Sequence, residues 1–236
     1  MYKGTLSKIL FLDIETTPQR ADFSLLDDAF QDLWKHKAKF LLRDSSTETA
    51  ESIYERAGIY AEFGKIVCVS CGFISPAGNL KIKSFYGDDE KKLLEEFSDL
   101  LSKFFNTSEH SLCAHNGKEF DFPYLCRRMI INDLPIPMIL NITGKKPWET
   151  SFMDTMEMWR FGDYKSFTSL NLLAQILGIP SPKDDIDGSQ VWRVYWVDKD
   201  LERIVRYCQK DVVTLVKIFL RLNQIPGIDD AKIEMV

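Results

Sequence analysis

The sequence predicts an α/β fold, with helices flanking a central mixed sheet of five strands, in one domain spanning residues 1–236. Residues 8–15 are apolar on both alternating faces, which is typical of a central strand covered on both sides. Other strand-length apolar segments follow it. Strongly amphipathic helical segments lie between and after them, and this combination of elements indicates a single α/β core.

The first half of the chain begins with the strand at 8–15, which Pro18 ends. Residues 19–64 are polar and aromatic in a helical rhythm and predict a helical insertion after the first strand. Its expected packing residues are Phe30, Leu33, Trp34, Ile53 and Tyr54. Strands at about 65–75 and 79–86 follow, and an amphipathic helix capped by Asp88 or Asp89 comes next.

The second half alternates short elements and ends in the longest helix. A strand at 111–115 leads into a helix near 122–131, and residues 132–150 predict a loop or irregular hairpin. The remaining predicted helices are at about 154–160, 168–177 and 199–223. Asp154 lies at a predicted strand end, where we expect it to cap the helix that follows.

The composition indicates a compact soluble protein. Of the 236 residues, 45% are hydrophobic and 28% are charged. No segment approaches the roughly 20 consecutive apolar residues that a membrane span needs, and no apolar leader with a cleavage site starts the chain. The five cysteines are an odd number without regular spacing, which favours a reducing, cytoplasmic location.

The net charge argues against a nucleic-acid partner. It is −5 at neutral pH, whereas proteins that bind phosphate chains usually carry a basic surface. Two bound divalent cations would leave about −1 without creating such a surface. Contact with a polyanion would therefore be local and assisted by metal.

Two acids stand at the end of the first strand. Asp13 and Glu15 alternate on one face, with Cα atoms about 6.6 Å apart, and at this distance two ionised carboxylates repel by about 2–3 kcal/mol. The strand supplies no basic residue on that face. The alternative is that the strand ends before them and both side chains point to solvent.

A third acid stands at a junction between strand and helix. Asp121 precedes Phe122 and Pro123, and proline favours the first helical position, so Asp121 is a natural N-cap. This role is compatible with a site, because α/β folds bind ligands at the carboxyl ends of strands.

The fourth acid lies on the last helix. At about 100° per residue, Asp211 falls just inside the apolar arc of this helix, and Tyr207 lies one turn earlier on the same flank. A carboxylate on the packed side of a helix needs a partner. That partner is either an arginine or a metal ion, and Tyr207 is otherwise a boundary aromatic residue.

The four acids together predict a metal site. Carboxylate oxygens suit Mg²⁺ or Mn²⁺, and Asp13, Glu15, Asp121 and Asp211 are enough to hold two divalent cations. Such a pair activates a water and stabilises the departing oxygen in phosphoryl chemistry. Tyr207 can orient that water through its hydroxyl.

Three motifs carry a resemblance to a known family. Asp13 and Glu15 resemble its Asp-x-Glu motif, Asn116 with Phe120 and Asp121 resembles Asn-x3-Phe-Asp, and Tyr207 with Asp211 resembles Tyr-x3-Asp. These are the exonuclease motifs of the DEDD superfamily of 3′–5′ exonucleases. The third spacing is that of its tyrosine (DEDDy) subclass. The chain is similar to stand-alone bacterial exonucleases related to the proofreading domain of family B DNA polymerases.

The resemblance implies a ribonuclease H-like fold and a two-metal 3′–5′ exonuclease acting on the 3′ end of single-stranded nucleic acid, with DNA preferred. Asp13, Glu15, Asp121, Tyr207 and Asp211 would be its catalytic residues. Asn116, Phe120 and Thr16 would bind the substrate. The alternatives are an exoribonuclease or a non-catalytic nucleic-acid-binding module, and a replication or repair protein is a possible partner.

Several other residues have structural explanations. Cys68 and Cys71 have the spacing of a redox or zinc motif, but on a strand they face opposite ways and are expected in the core. His115 either lines the site or is structural. Six basic residues are candidate phosphate contacts, although exposed lysines are common: Lys118, Arg127, Arg128, Lys145, Lys146 and Lys165.

Overall fold

The structure, a computed structural model, describes residues 4–42, 47–146, 149–180 and 186–236. In this part of the chain one sheet has six strands, in the order β5-β4-β1-β2-β3-β6. They are β1 (Ile9–Pro18), β2 (Gly64–Ile74), β3 (Leu80–Tyr86), β4 (Ser111–Ala114), β5 (Phe152–Asp154) and β6 (Ile233–Met235). The β1–β2 and β2–β3 pairs are antiparallel and the other three pairs are parallel.

The sheet has one strand more than the five expected. Ile233–Met235 adds to the free edge of β3, where Leu80 pairs with Ile233. A segment of three residues is too short to show the alternation by which a strand is recognised in sequence.

The helices flank this sheet. They are α1 (Asp28–Leu41), α2 (Glu90–Phe104), α3 (Asp121–Ile131), α4 (Thr155–Arg160), α5 (Leu170–Ile176), α6 (Val191–Arg193) and α7 (Leu201–Leu222). The short α6 continues as a π-helix, Val194–Asp198. None of the helices in the described ranges is long and apolar enough to cross a membrane.

The central strand β1 is buried on both faces, as its sequence predicts. Leu10 and Leu12 pack with α2 and α3 on one side, while Ile9 and Phe11 pack against α7 on the other. Because side chains alternate along a strand, Asp13 continues the row of Ile9 and Phe11. The first acid therefore emerges on the side of α7.

The insertion at 19–64 is helical, as expected, and has its own apolar cluster, apart from residues 43–46, which lie outside the described ranges. Trp34, Ile53 and Tyr54 are buried there, with Phe30 packed against them. Leu33 was expected to pack but is 56% exposed. It lies on the outer side of α1, which buries only Trp34 and Ala38 fully.

Candidate active site

Asp13 and Glu15 lie on β1, which is flanked by β2 and β4, just beyond the residues that pair with β4. Glu15 is 6% exposed, and a bulge in the pairing with β2 follows it directly. Carboxylate oxygens of both residues and the Cys208 sulfur on α7 all lie within 4.8 Å of one another. The alternative in which the two acids point to solvent is wrong.

Asp121 reaches the same strand from α3. Its Oδ1 accepts the backbone N–H of Ile14 at 3.2 Å, between the two acids of β1. The N-cap expectation is wrong by one residue. The helix begins at Asp121 itself, and Phe120 occupies the cap position without a capping side chain. The carboxylate is thereby left to face β1.

The turn before α3 depends on Gly117. A Cβ at this position would lie 2.3 Å from the Cβ of Ala114, a separation that close-packed interiors do not tolerate. The Gly117 carbonyl accepts the N–H of Phe122 at 2.9 Å. The close approach of the turn to β4 carries the chain directly from the strand end into α3.

Asp211 and Tyr207 lie on the buried side of α7. Their exposures are 9% and 8%, and the Tyr207 hydroxyl donates a hydrogen bond to the Asp211 carboxylate. The helix packs against β1 and β2, and the charge of Asp211 is felt at both Asp13 and Glu15. Four acids from three distant segments thus converge.

Electrostatics at this cluster are unfavourable for charged carboxylates. Burial, followed by the charges of Asp121 and Asp211, raises the pKa of Asp13 well above its ordinary value. Burial and the charge of Asp13 likewise raise the pKa of Glu15. For Asp121, burial raises the pKa to about 7, although its backbone hydrogen bonds oppose the shift.

The same charges act on Tyr207. Burial, then the charge of Asp211, raises the pKa of its phenol. The hydroxyl therefore stays protonated at any ordinary pH and remains a hydrogen-bond donor.

These residues fit a divalent-cation site. In the described ranges none of the main causes of the shifted pKa of Asp13, Glu15 or Asp121 is a lysine or an arginine. Buried carboxylates are normally compensated by a basic group or a metal. The oxygen donors are those preferred by Mg²⁺ and Mn²⁺.

Cys208 is the member of the cluster that the sequence analysis missed as a site residue. Its thiol lies 3.3 Å from Asp13 Oδ2 and 3.4 Å from the Asp13 carbonyl. Burial raises its pKa well above the ordinary thiol value, so it acts as a donor to Asp13. Because Cys208 precedes Asp211 by three residues, helical spacing could have indicated that both share a face.

The residues predicted to bind substrate are next to the acids in sequence or on the turn that leads to Asp121. Asn116 has a left-handed backbone with φ of 62°, and its side-chain oxygen is buried without a hydrogen-bond partner among the described residues. The Phe120 ring lies 5.3 Å from that of Tyr124, and the Thr16 hydroxyl hydrogen-bonds to the Tyr124 phenol. Tyr124 in turn donates to the Gly58 carbonyl at 2.7 Å.

Asp154 acts as the predicted helix cap and also holds the loop at the site. It accepts the N–H groups of Met156 and Glu157 at the start of α4. The same carboxylate accepts the N–H groups of Asn116 at 3.0 Å and Lys118 at 3.1 Å. It therefore fixes the strained turn that carries Asn116.

His115 has a structural role. Its Nε2 hydrogen-bonds to the Thr168 carbonyl at 2.8 Å, and its Nδ1 lies 2.8 Å from the Thr155 hydroxyl. A carbonyl only accepts, so Nε2 carries the proton and Nδ1 is the acceptor. Burial lowers the pKa of the ring, in keeping with a neutral imidazole.

Other expectations have mixed outcomes. Arg128 is wrong as a phosphate contact, because it is 6% exposed and its guanidinium binds Glu90. Lys118 pairs with Glu157 at 2.6 Å. Cys68 and Cys71 lie in different apolar clusters and are free thiols, as predicted for core cysteines.

A comparison with protein families places the chain beside exonucleases. A family model described as a predicted 3′–5′ exonuclease related to the exonuclease domain of PolB matches residues 59–234. The match includes Asp121 and Asp211, whereas β1 with Asp13 and Glu15 precedes it. No curated protein matches the chain significantly.

Solved structures share the fold at low sequence identity. The family B DNA polymerase from the hyperthermophilic archaeon Pyrobaculum calidifontis is 16% identical, with a TM-score of 0.52, over 90% of this chain and only 24% of the polymerase. The RNase domain of yeast Pop2 is 13% identical, with a TM-score of 0.45, over 95% and 82% of the two chains. A chain in the structure of the yeast NOT1 MIF4G domain co-crystallized with CAF1 is 14% identical, with a TM-score of 0.40, over 96% of this chain and 85% of that chain. The likeness to the polymerase confirms the predicted ribonuclease H-like α/β fold.

Proposed function

The chain belongs to the family of predicted 3′–5′ exonucleases related to the exonuclease domain of PolB, and we propose that it hydrolyses phosphodiester bonds at the 3′ end of single-stranded DNA. One observation carries this proposal. Asp13, Glu15 and Asp121 meet in a buried cluster where the pKa of each is raised and no described lysine or arginine is among the main causes of the shift. Such a cluster suits cations bound together with a phosphate.

Two divalent cations, Mg²⁺ or Mn²⁺, would be held by Asp13, Glu15, Asp121 and Asp211. When bound, they would supply a polarised phosphoryl oxygen, an activated water and charge stabilisation for the departing 3′ oxygen. The burial of the carboxylates favours this chemistry, because electrostatic interactions are stronger where bulk water is excluded.

Tyr207 would orient the attacking water. Its hydroxyl keeps its proton and lies within hydrogen-bond reach of Asp211, so it can donate or accept beside that carboxylate. The tyrosine four residues before Asp211 is the feature of the DEDDy subclass. The histidine subclass would need histidine at position 206, which is Arg206.

Asn116, Phe120 and Thr16 would bind the terminal nucleotide. The Asn116 side-chain oxygen is a buried acceptor without a described partner, so a hydroxyl of the substrate can satisfy it at no further desolvation cost. Phe120 offers a ring for stacking against a base. Thr16, at the bulge directly after Glu15, is placed to contact the terminal nucleotide beside the acids.

The whole chain, with residues 19–64 as an insertion, would act as one exonuclease domain in the cytoplasm. Its net charge of −5 makes long-range attraction of a polyanion weak, so substrate recognition would be short-range and metal-dependent. A replication or repair protein that delivers 3′ ends to the site would compensate for this weak long-range attraction. A non-catalytic role is disfavoured because all four candidate ligands are retained.

A 5′-labelled single-stranded oligodeoxynucleotide tests the proposal. We expect stepwise shortening from the 3′ end with Mn²⁺ or Mg²⁺, and loss of all shortening with EDTA or in Asp13→Ala. An RNA oligonucleotide of the same sequence should be cut more slowly, and the reverse preference would make the protein an exoribonuclease. Absence of shortening on both substrates, or activity that persists in Asp13→Ala, would refute the proposal.

A further inference from the structure

The loop between α4 and α5 displays three large aromatic side chains to solvent. Within residues 161–167, Phe161 is 90% exposed, Tyr164 is 87% exposed and Phe167 is 66% exposed. We call these three rings the aromatic loop surface. Surface apolar residues are usually scattered singly, and a cluster of this kind marks an interaction site.

The rings are exposed because of the backbone conformation of the loop. Phe161 ends α4 in a left-handed conformation with φ of 46°, and Gly162 follows with φ of 89°. The loop then closes on itself, since Asp163 Oδ1 accepts the N–H of Lys165 at 3.1 Å. Inward positions are thereby taken by backbone contacts and the rings point away from the protein.

Two contacts tie this loop to the turn at the proposed active site. The Arg160 Nε donates to the Ser166 carbonyl at 2.7 Å, and the same guanidinium lies 3.8 Å from Glu119. His115 donates to the carbonyl of Thr168, the residue directly after Phe167. The loop is therefore anchored at both ends to residues 115–119.

His115 also relates the loop to the strand that carries the first two acids. β1 and β4 are parallel, with Phe11 opposite Cys113, so extending this register by two residues brings His115 level with Asp13. Neighbouring strands lie about 4.8 Å apart. The loop is thus tied to the turn that follows β4, the strand paired with β1, and this turn leads to Asp121.

We infer that the aromatic loop surface is a stacking platform for the single strand upstream of its 3′-terminal nucleotide, which rests on the proposed function. Aromatic rings stack on any base and so bind single strands without sequence preference. Three rings suit two or three bases, as in other single-strand-binding surfaces.

The charge of the protein bears on how a strand would be held. A net charge of −5 gives little long-range attraction for a polyanion, so a bound strand needs affinity from contacts other than those to its phosphates. Lys165 lies exposed among the rings and offers one local cation. Stacking on the rings then supplies affinity that does not come from phosphate contacts.

The test compares the wild type with the triple variant Phe161→Ala, Tyr164→Ala and Phe167→Ala. Binding of 5′-fluorescein-labelled dT20 is measured by anisotropy in EDTA at two salt concentrations. Loss of one stacked base costs about fivefold or more in affinity, so we expect at least about a hundredfold rise in Kd. Phe104→Ala is the matched control, since Phe104 is also 66% exposed and should bind dT20 as the wild type does.

Hydrolysis of the p-nitrophenyl ester of thymidine 5′-monophosphate separates the platform from the chemistry. This small substrate reaches only the acids, so the triple variant should hydrolyse it at the wild-type rate with Mn²⁺ while its kcat/KM on dT20 falls. Unchanged dT20 binding in the triple variant would overturn the platform, even if exonuclease activity is present. If the wild type hydrolyses neither substrate, the proposed function fails, and the binding comparison alone decides the platform.

A second variant reports stacking directly. Tyr164→Trp keeps an aromatic ring at the most central position, so dT20 should bind with near wild-type affinity and change the tryptophan fluorescence. A fluorescence spectrum that dT20 leaves unaltered, compared with the same titration of the wild type, would contradict stacking. Binding of dT20 by the triple variant at wild-type strength would instead assign the rings to a protein partner.

Discussion

Two buried glutamates in this domain have opposite surroundings. Glu90, at the start of α2, accepts hydrogen bonds from Arg128 at 2.8 and 2.5 Å, from the Ile66 N–H at 2.7 Å and from Asn132 at 3.1 Å. Glu15, equally buried, has Asp13 and Asp211 as its nearest charges, and they raise its pKa further after burial. Glu90 has its counter-cation within the chain, whereas the pKa of Glu15 is raised in the way expected of an acid that a metal ion would compensate.

The largest expected effect is on activity, from the same chemical change at the two sites. Glu15→Gln should lower the rate of 3′ shortening at least about a thousandfold, more than the 10–100-fold typical of an outer-shell partner. Glu90→Gln should leave the rate per folded molecule within about tenfold. The measurement is single-turnover hydrolysis of labelled oligonucleotide, and equal losses in the two variants would break the distinction.

The same two variants should also differ in their free energy of unfolding, and here Glu90→Gln should show the larger loss. Glu90→Gln leaves the buried Arg128 without its counter-charge, and breaking one side of such a pair costs about 3–5 kcal/mol. Glu15→Gln removes a repelling charge, so the metal-free variant should be as stable as the wild type or more stable. Denaturant unfolding in EDTA measures both, and destabilisation by Glu15→Gln would show that this acid has a hidden structural partner.

The sequence predicted the elements that have strong periodicity. The apolar strand β1 was evident from Ile9 to Leu12, and α7 was placed within two residues of its observed bounds, Leu201–Leu222. The four acids were found because each occurs where an uncompensated charge is unfavourable. These features depend on residues close together in the chain, and the spacing of apolar residues along the chain is sufficient to indicate them.

Features that depend on long-range contacts were not predictable. β6 has three residues and forms only because the edge of β3 is available. The cap of α3 falls at Phe120 rather than Asp121, because Asp121 binds the N–H of Ile14 across 107 positions of sequence. In the sequence Arg128 resembled a surface cation, and only the fold shows that its guanidinium pairs with the Glu90 carboxylate.

A smaller effect is expected from Tyr207→Phe. The change removes one hydroxyl, which contacts Asp211 and carries none of the negative charge of the cluster. A group that positions water typically contributes about 10–100-fold to a rate, so kcat should fall by this factor while the affinity for Mn²⁺ stays near that of the wild type. A kcat equal to that of the wild type would remove Tyr207 from the proposed mechanism.

The most direct test of the central claim is the melting temperature of the protein as a function of pH, with and without Mn²⁺. Raised pKa values mean that the folded, metal-free protein holds protons that the unfolded chain releases. The stabilisation from Asp121 is complete below its unfolded pKa of 3.8 and is lost as pH rises through its folded pKa of about 7.

Without metal, we therefore expect the melting temperature to fall between pH 5 and 8 by several degrees, since about 1 kcal/mol corresponds to 2–4 °C at this size. Mn²⁺ should restore it, and more strongly at pH 8 than at pH 5, because protons compete for the same oxygens. The double variant Glu15→Gln with Asp121→Asn is the matched control and should lose most of both effects. Two results together would contradict the assignment of these acids as a metal site. The wild-type melting temperature would be the same with and without Mn²⁺ at pH 8, and it would not fall with pH relative to the double variant.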